Sequence, residues 1–242
     1  MAARMLRTSC HVRSGTARVR VLVAFVAFAA FVLGGVACRS RPVAPALVLG
    51  PPEPAVALAG FEAGAPIPAR LETDAGVIHC ELDATRTPHA VALFVGLAIG
   101  RAVWRDPRSG MLTARPLYRD LVFHRGIPGV LVQSGDPLGD GTGHPGYRIA
   151  VEASADDRAR LARPGALLLA RYTPAPGRVD PAPPPPGHVL GSQFVIALTD
   201  MSHLTGQVSV IGHCADLDRV RALAARLGAG GAAPRLARVS VP

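Results

Sequence analysis

Fourteen of the 23 prolines fall in two runs, at 42, 45, 51, 52, 54, 66 and 68 and again between Pro174 and Pro186. Proline supplies no amide donor and fixes φ, so neither run can serve as an interior sheet strand. Whatever sheet this 242-residue chain forms must come from the sequence between and after those runs. Residues 38–68 mix their prolines with Ala, Val and Gly and almost no charge. That composition predicts an extended, semi-rigid tether that cannot close a core. Residues 173–190 read as a stiff surface loop; a polyproline II ligand for another domain is the alternative.

The amino terminus has the layout of an address. Residues 1–37 carry Arg4, Arg7, Arg13, Arg18 and Arg20 with no acidic residue, and Val21–Val36 is an apolar run of sixteen. A charged segment, an apolar run and a small-residue site form a secretory signal. The run is short of the roughly twenty residues that a membrane span needs. Cys38 directly after Val36-Ala37 resembles the lipobox of bacterial lipoproteins, which implies acylation of Cys38. Gly35 departs from that pattern, since a Leu-like residue usually stands there and Leu33 lies two positions early. Soluble export after cleavage at Ala37 and an uncleaved anchor are the competing outcomes. The leader predicts an exported protein, lipid-anchored to the bacterial envelope membrane and facing the periplasm.

The formal charge of +9 does not make this a nucleic-acid binder. Five of those charges sit in the leader, and the other arginines are scattered among Asp and Glu. A phosphate-tracking surface needs clustered basic residues, and none is present.

Residues 69–242 carry the folding signals. Ile78, Cys80 and Leu82 alternate on one face of a strand over 76–82. Thr87-Pro88 opens a helix to about residue 99, with Val91, Phe94, Val95 and Ala98 at helical spacing and Gly100 closing it. Further strands are expected at 121–124, 130–133, 166–169, 194–198, 208–213 and 235–241. A second helix is expected over 216–227, with Leu217, Val220, Leu223 and Leu227 apolar. This pattern predicts a mainly β fold, a closed eight-stranded antiparallel β-barrel capped by two α-helices.

Within this segment stands Phe123-His124-Arg125-Gly126-Ile127-Pro128, followed by Gln133 and Gly135-Asp136. It resembles the cyclophilin signature Phe-His-Arg-x-Ile-Pro-x-x-x-x-Gln-x-Gly-Asp. Gly191-Ser-Gln-Phe-Val-Ile196 and Leu204-Thr-Gly206 leading into Val210–Cys214 are similar to the family in order and spacing. The resemblance covers 69–242 and implies a peptidyl-prolyl cis-trans isomerase acting on Pro-containing segments of exported polypeptides. By the same resemblance Arg125 is the catalytic arginine and Gln133 the glutamine that orients it. Leu131, Ala170, Gln193, His203 and Leu204 fall at peptide-binding positions. Val130 and Val195 stand where two phenylalanines usually wall the proline pocket, Val208 where a His is usual, and Arg171 where an Asn binds peptide through its backbone. The pocket keeps its donor and its apolar character and loses aromatic surface, so a weakly active module that binds Pro-containing segments is the alternative.

The chemistry asks for little else. Rotation about an X-Pro bond crosses about 20 kcal/mol because the amide is conjugated. An apolar pocket must hold the ring while a fixed donor favours the twisted amide, whose nitrogen regains its lone pair. Arginine, permanently charged with a rigid fork of donors, suits that role. No cofactor is required, and the eight histidines lack metal-ligand spacing. Residues 135–146 are glycine-rich but lack a Gly-Lys-Ser/Thr ending, so they read as turns rather than a phosphate loop. The chain has no Gly-x-Ser-x-Gly elbow. Cys80 and Cys214 lie on apolar strand faces, which fits two separate core thiols; an oxidising compartment also permits a disulfide. The expected state is a monomer.

Overall fold

The computed structural model of the chain describes residues 47–171 and 187–242. The leader, Cys38, the first part of the tether and residues 172–186 of the Pro-rich stretch lie outside them.

Among the described residues, twelve strands and four α-helices follow in chain order. They are α1 (Pro54–Ala57), β1 (Ile67–Thr73), β2 (Gly76–Leu82), α2 (Pro88–Ile99), β3 (Trp104–Arg105), β4 (Leu112–Thr113), β5 (Arg119–Val122) and β6 (Arg125–Ile127). Then come β7 (Leu131–Ser134), β8 (Ile149–Ala150), α3 (Asp157–Leu161), β9 (Ala166–Arg171), β10 (His188–Ala197), β11 (Val210–Cys214), α4 (Leu217–Gly228) and β12 (Arg235–Ser240). A 3-10 turn spans Ser202–Leu204.

The main sheet runs β5-β12-β1-β2-β11-β9-β10-β7-β6, with β8 paired to β10 and β3-β4 forming a separate hairpin. The fold is mainly β as expected, but the closed eight-stranded barrel is not what forms. Nine strands make an open half-barrel whose two edges, β5 and β6, are consecutive in the chain. The physical reason lies in the two residues between them. Phe123 is fully buried and donates its amide to the Pro234 carbonyl at 2.9 Å, which continues the pairing of β5 with β12, while β6 pairs only with β7. No ladder between β5 and β6 then remains to close the sheet.

The two long helices form where the spacing predicts. Gly100 ends α2 at φ +81°. At the other end Thr87 makes no side-chain cap; its hydroxyl donates to the Val210 carbonyl at 3.0 Å. The orphan amides of the first turn go to Glu152 instead, which accepts from Ala90 at 2.9 Å and from His89 at 3.3 Å. Every residue from Ala90 to Ala98 is buried, which a one-sided apolar stripe does not anticipate.

The second cover is the segment assigned to the tether. Gly50 bridges to Val103, Ala57 is fully buried, and Arg101 donates to the carbonyls of Ala57 and Ala59 at 3.1 and 2.6 Å. The described part of 38–68 is therefore docked on the folded unit, and β1 begins inside it at Ile67. The Pro-rich stretch needs a smaller correction, since His188, Val189 and Leu190 belong to β10 rather than to a loop.

The inner face of the sheet carries the main core. Phe94, Tyr118 and Phe194 meet with ring centroids 5.0–5.8 Å apart, and the Tyr118 hydroxyl donates to the Ser192 carbonyl at 2.9 Å. Cys80 and Cys214 face each other in the β2–β11 register and form a disulfide. The α4 helix packs Leu227 against β6 so closely that a Cβ on Gly126 would lie 2.5 Å from it. Gly126 therefore faces the helix, and its neighbours Arg125 and Ile127 are turned the other way.

Candidate active site

Strands β7, β9 and β10 are buried on both faces. Val132, Leu167, Leu169, Phe194 and Ile196 point into the main core. The alternate residues Leu131, Leu168, Ala170, Val195 and Ala197 form a second apolar cluster on the outer face, with Val208, Val210 and the partly buried Val130 and Leu204. Six of the residues singled out from sequence, Val130, Leu131, Ala170, Val195, Leu204 and Val208, thus meet in one place.

The polar residues border this surface through the strand register. Arg125 pairs with Gln133 across β6–β7, Gln133 with Val195 across β7–β10, and Val195 with Leu168 across β10–β9. Directly opposed residues share a face, so the arginine, the glutamine and the apolar floor form one cross-strand row. Arg125 is exposed, and its guanidinium makes no hydrogen bond or ion pair among the described residues. A free donor fork thus stands at the edge of an apolar surface.

Gln133 is held from behind. Its Nε2 donates to Gln193 Oε1 at 2.8 Å. Gln193 is fully buried and donates in turn to the carbonyls of Gly141 and Gly143 at 3.1 and 2.8 Å. Those carbonyls belong to the glycine-rich turns, which are wound around Asp136. That buried carboxylate accepts from the amides of Leu138 at 2.7 Å and Asp140 at 3.0 Å, and from Gly141. Reading 135–146 as turns is right for its backbone and misses the role of Asp136, which stands in the motif as Gly135-Asp136.

His124 is the second residue missed. Both ring nitrogens are buried without a hydrogen-bond partner among the described residues. Burial lowers its pKa, with Asp136 and Asp140 pulling the other way. The imidazole is therefore neutral near pH 7 and sits directly beside Arg125 in the chain.

Two predicted residues stand on the rim rather than in the apolar cluster. Arg171, at the end of β9, donates to Gln207 Oε1 at 2.6 Å. His203 is exposed on the 3-10 turn, and its carbonyl accepts from Gln207 Nε2 at 3.0 Å.

The sequence model of the family described as cyclophilin type peptidyl-prolyl cis-trans isomerase/CLD matches residues 69–225. The chain belongs to this family. Its relatives include peptidyl-prolyl cis-trans isomerase B of Streptomyces anulatus, 36% identical over 144 residues, which are 60% of this chain and 74% of that one. Peptidyl-prolyl cis-trans isomerase A of Mycobacterium tuberculosis is 32% identical over 157 residues, 65% of this chain and 78% of that one. Among solved structures, a cyclophilin type isomerase of Cryptosporidium parvum superposes with a TM-score of 0.53 at 20% identity. That match covers 73% of this chain and 98% of the other. A second structure of that protein was solved in the presence of the dipeptide Ala-Pro. Membership in the cyclophilin family carries peptidyl-prolyl isomerase activity, and it accounts for why an arginine-edged apolar surface occupies the outer face of the sheet.

Proposed function

We propose that this cyclophilin isomerises X-Pro bonds of exported polypeptides in the cell envelope, with Arg125 as the catalytic donor. The observation that carries the reading is the cross-strand row of free Arg125, buttressed Gln133 and apolar Val195. A prolyl ring on Leu131 and Val195 brings its amide beneath the guanidinium, with Gln133 beside it in the same cross-strand row. Because Arg125 spends no hydrogen bond on the protein, its donors are free for the pyramidal prolyl nitrogen of the twisted amide. The Ala-Pro peptide used with the Cryptosporidium relative is of the same chemical class. The leader at 1–37, the Cys38 lipobox and the core disulfide support export with a lipid anchor, since such cross-links persist in oxidising compartments.

The valines at 130, 195 and 208 favour a second reading, a module that grips Pro segments and turns them over slowly. Isomerase measurements on the purified protein, Arg125→Ala and Val130→Phe/Val195→Phe separate the two. Restored ring contacts of about 1 kcal/mol raise kcat/KM roughly fivefold, and Arg125→Ala removes the gain. A wild type that is fast and indifferent to Arg125→Ala refutes the catalytic assignment. Turnover absent throughout, with Pro-peptide binding retained, establishes the binding module. For the anchor, Cys38→Ser releases the protein into the soluble periplasmic fraction; membrane association unchanged by that substitution refutes it.

A further inference from the structure

The rim of the site carries a cation that isomerisation does not use. Arg171 follows Ala170, which lies in the apolar cluster of the site. Its side chain lies along the segment that supplies Leu204 and Val208, held by the neutral amide of Gln207 at 2.6 Å. Gln207 is itself fixed by the His203 carbonyl, so the guanidinium is positioned rather than free to sweep the solvent. A neutral acceptor leaves the charge uncompensated, and no carboxylate pairs with Arg171 among the described residues. Nearby, His203 stands on the 3-10 turn, and the Asp200 carboxyl is held below its ordinary pKa by the Ser202 amide and hydroxyl, with the charges of His203 and Arg158 adding to this. Asp200 already accepts from the Ser202 amide at 2.7 Å. A polypeptide crossing the groove therefore meets free Arg125 on β6 and the fixed Arg171 at the end of β9.

We propose that Arg171 makes this isomerase select polypeptides that carry a carboxylate close to the proline. The idea rests on the isomerase reading above and adds a substrate class to it. The register sets the distance. Arg125 and Arg171 are three strand spacings and about three residues apart, or roughly 15–18 Å between Cα atoms. An extended peptide rises about 3.3 Å per residue. That span is about five residue steps, which the reach of the side chains shortens, so with its prolyl amide under Arg125 a substrate presents a residue about four positions from the proline to the Arg171 guanidinium. A fixed arginine fork binds a carboxylate with two donors, which a neutral side chain cannot match.

The test uses the purified protein and a matched alanine-based series of Pro peptides. Glu, Gln or Lys is placed in turn at each of the four positions on either side of the proline. Exchange NMR reads cis–trans turnover directly, with no coupling protease whose own specificity enters, and the same titrations read binding. At low salt, Glu exceeds Gln by roughly three- to fivefold at one or more positions, the ratio an exposed ion pair supports. The ratio falls toward one at high salt. Arg171→Gln abolishes it and Arg171→Glu inverts it in favour of Lys. Gln207→Glu, which supplies an internal carboxylate and leaves Arg171 in place, also abolishes it. Equal turnover of Glu and Gln peptides at all eight positions, or a preference that survives Arg171→Gln, overturns the proposal while leaving the isomerase intact. Charge-selective binding without turnover upholds the proposal and removes the isomerase. Loss of both binding and turnover removes both.

Discussion

Gln193 is the residue on which the site's geometry can be tested most sharply. It is fully buried and makes three hydrogen bonds, with Gln133, Gly141 and Gly143. Gln193→Leu keeps the bulk and removes every polar atom. Gly141 is partly exposed, so water can replace the lost donor there. The Gly143 carbonyl and the Gln133 amide are buried and lose their partners outright. Each such group costs about 1–3 kcal/mol, so the net loss is about 3 kcal/mol. For a unit of this size that lowers Tm by about 6–12 °C. The same change frees Gln133 to rotate away from Arg125, so kcat/KM falls as well. Thermal denaturation and a double-mutant cycle with Gln133→Leu provide the measurement. The two single costs sum to about 1 kcal/mol more than the double variant, because both break the same bond. A Tm within 2 °C of wild type, together with additive effects, would refute the claim that this buried relay holds the site.

Gly126→Ala places a Cβ 2.5 Å from Leu227 Cδ1, so α4 and β6 must part. Urea denaturation should show a loss of about 1–3 kcal/mol, partly recovered by adding Leu227→Ala, with activity reduced because Arg125 moves with its strand. The Cys80–Cys214 disulfide closes a sequence separation of 134 residues, so replacing both by Ala should cost about 2–5 kcal/mol of unfolding free energy in urea titrations. His124, with its pKa lowered by burial from 6.5, gives a pH dependence. Between 6.5 and the lower folded value only the unfolded chain takes up the proton, so stability is full above pH 6.5 and lost as pH falls through the folded pKa. Urea midpoints across that range should slope less in His124→Gln than in wild type.

Strand β1 shows why part of the fold escaped the sequence. Pro66 and Pro68 resemble the tether before them, yet Pro68 sits in β1 opposite Glu81 of β2. It is tolerated because the pairing of β1 with β12 begins only at Arg70, so on that side the missing amide interrupts no ladder. In β10 the alternation is broken by Gly191 at φ +71°, where the register slips between Val189 and Phe194. A pattern of period two cannot be followed through such a bulge, and the strand reads as starting at Phe194. The gathering of Val130, Leu131, Ala170, Val195, Leu204 and Val208 was legible because the spaced motifs of the family carry it. The relay behind them was not. The Asp136 carboxylate works on the amides of Leu138, Asp140 and Gly141, and Gln193 on the Gly141 and Gly143 carbonyls, so the partners are backbone atoms that leave no mark on residue type.

The two-sided burial of β7, β9 and β10 has a consequence for how this protein can change over generations. Site and core residues occupy odd and even steps of the same few strands. Point substitutions at 131, 168, 170 or 195 therefore alter what the groove accepts without touching Phe194, Ile196, Val132 or Leu169. Single-residue insertions and deletions behave differently. One residue gained or lost just ahead of Gln193, with the pairing otherwise held, would exchange the two sets, presenting phenylalanine and isoleucine to the peptide and glutamine to the core. Drift in substrate choice at these strands is thus open through substitution and closed to length change. A saturation library of this segment should recover folded proteins with many residues at 195 and none with a shifted frame of alternation.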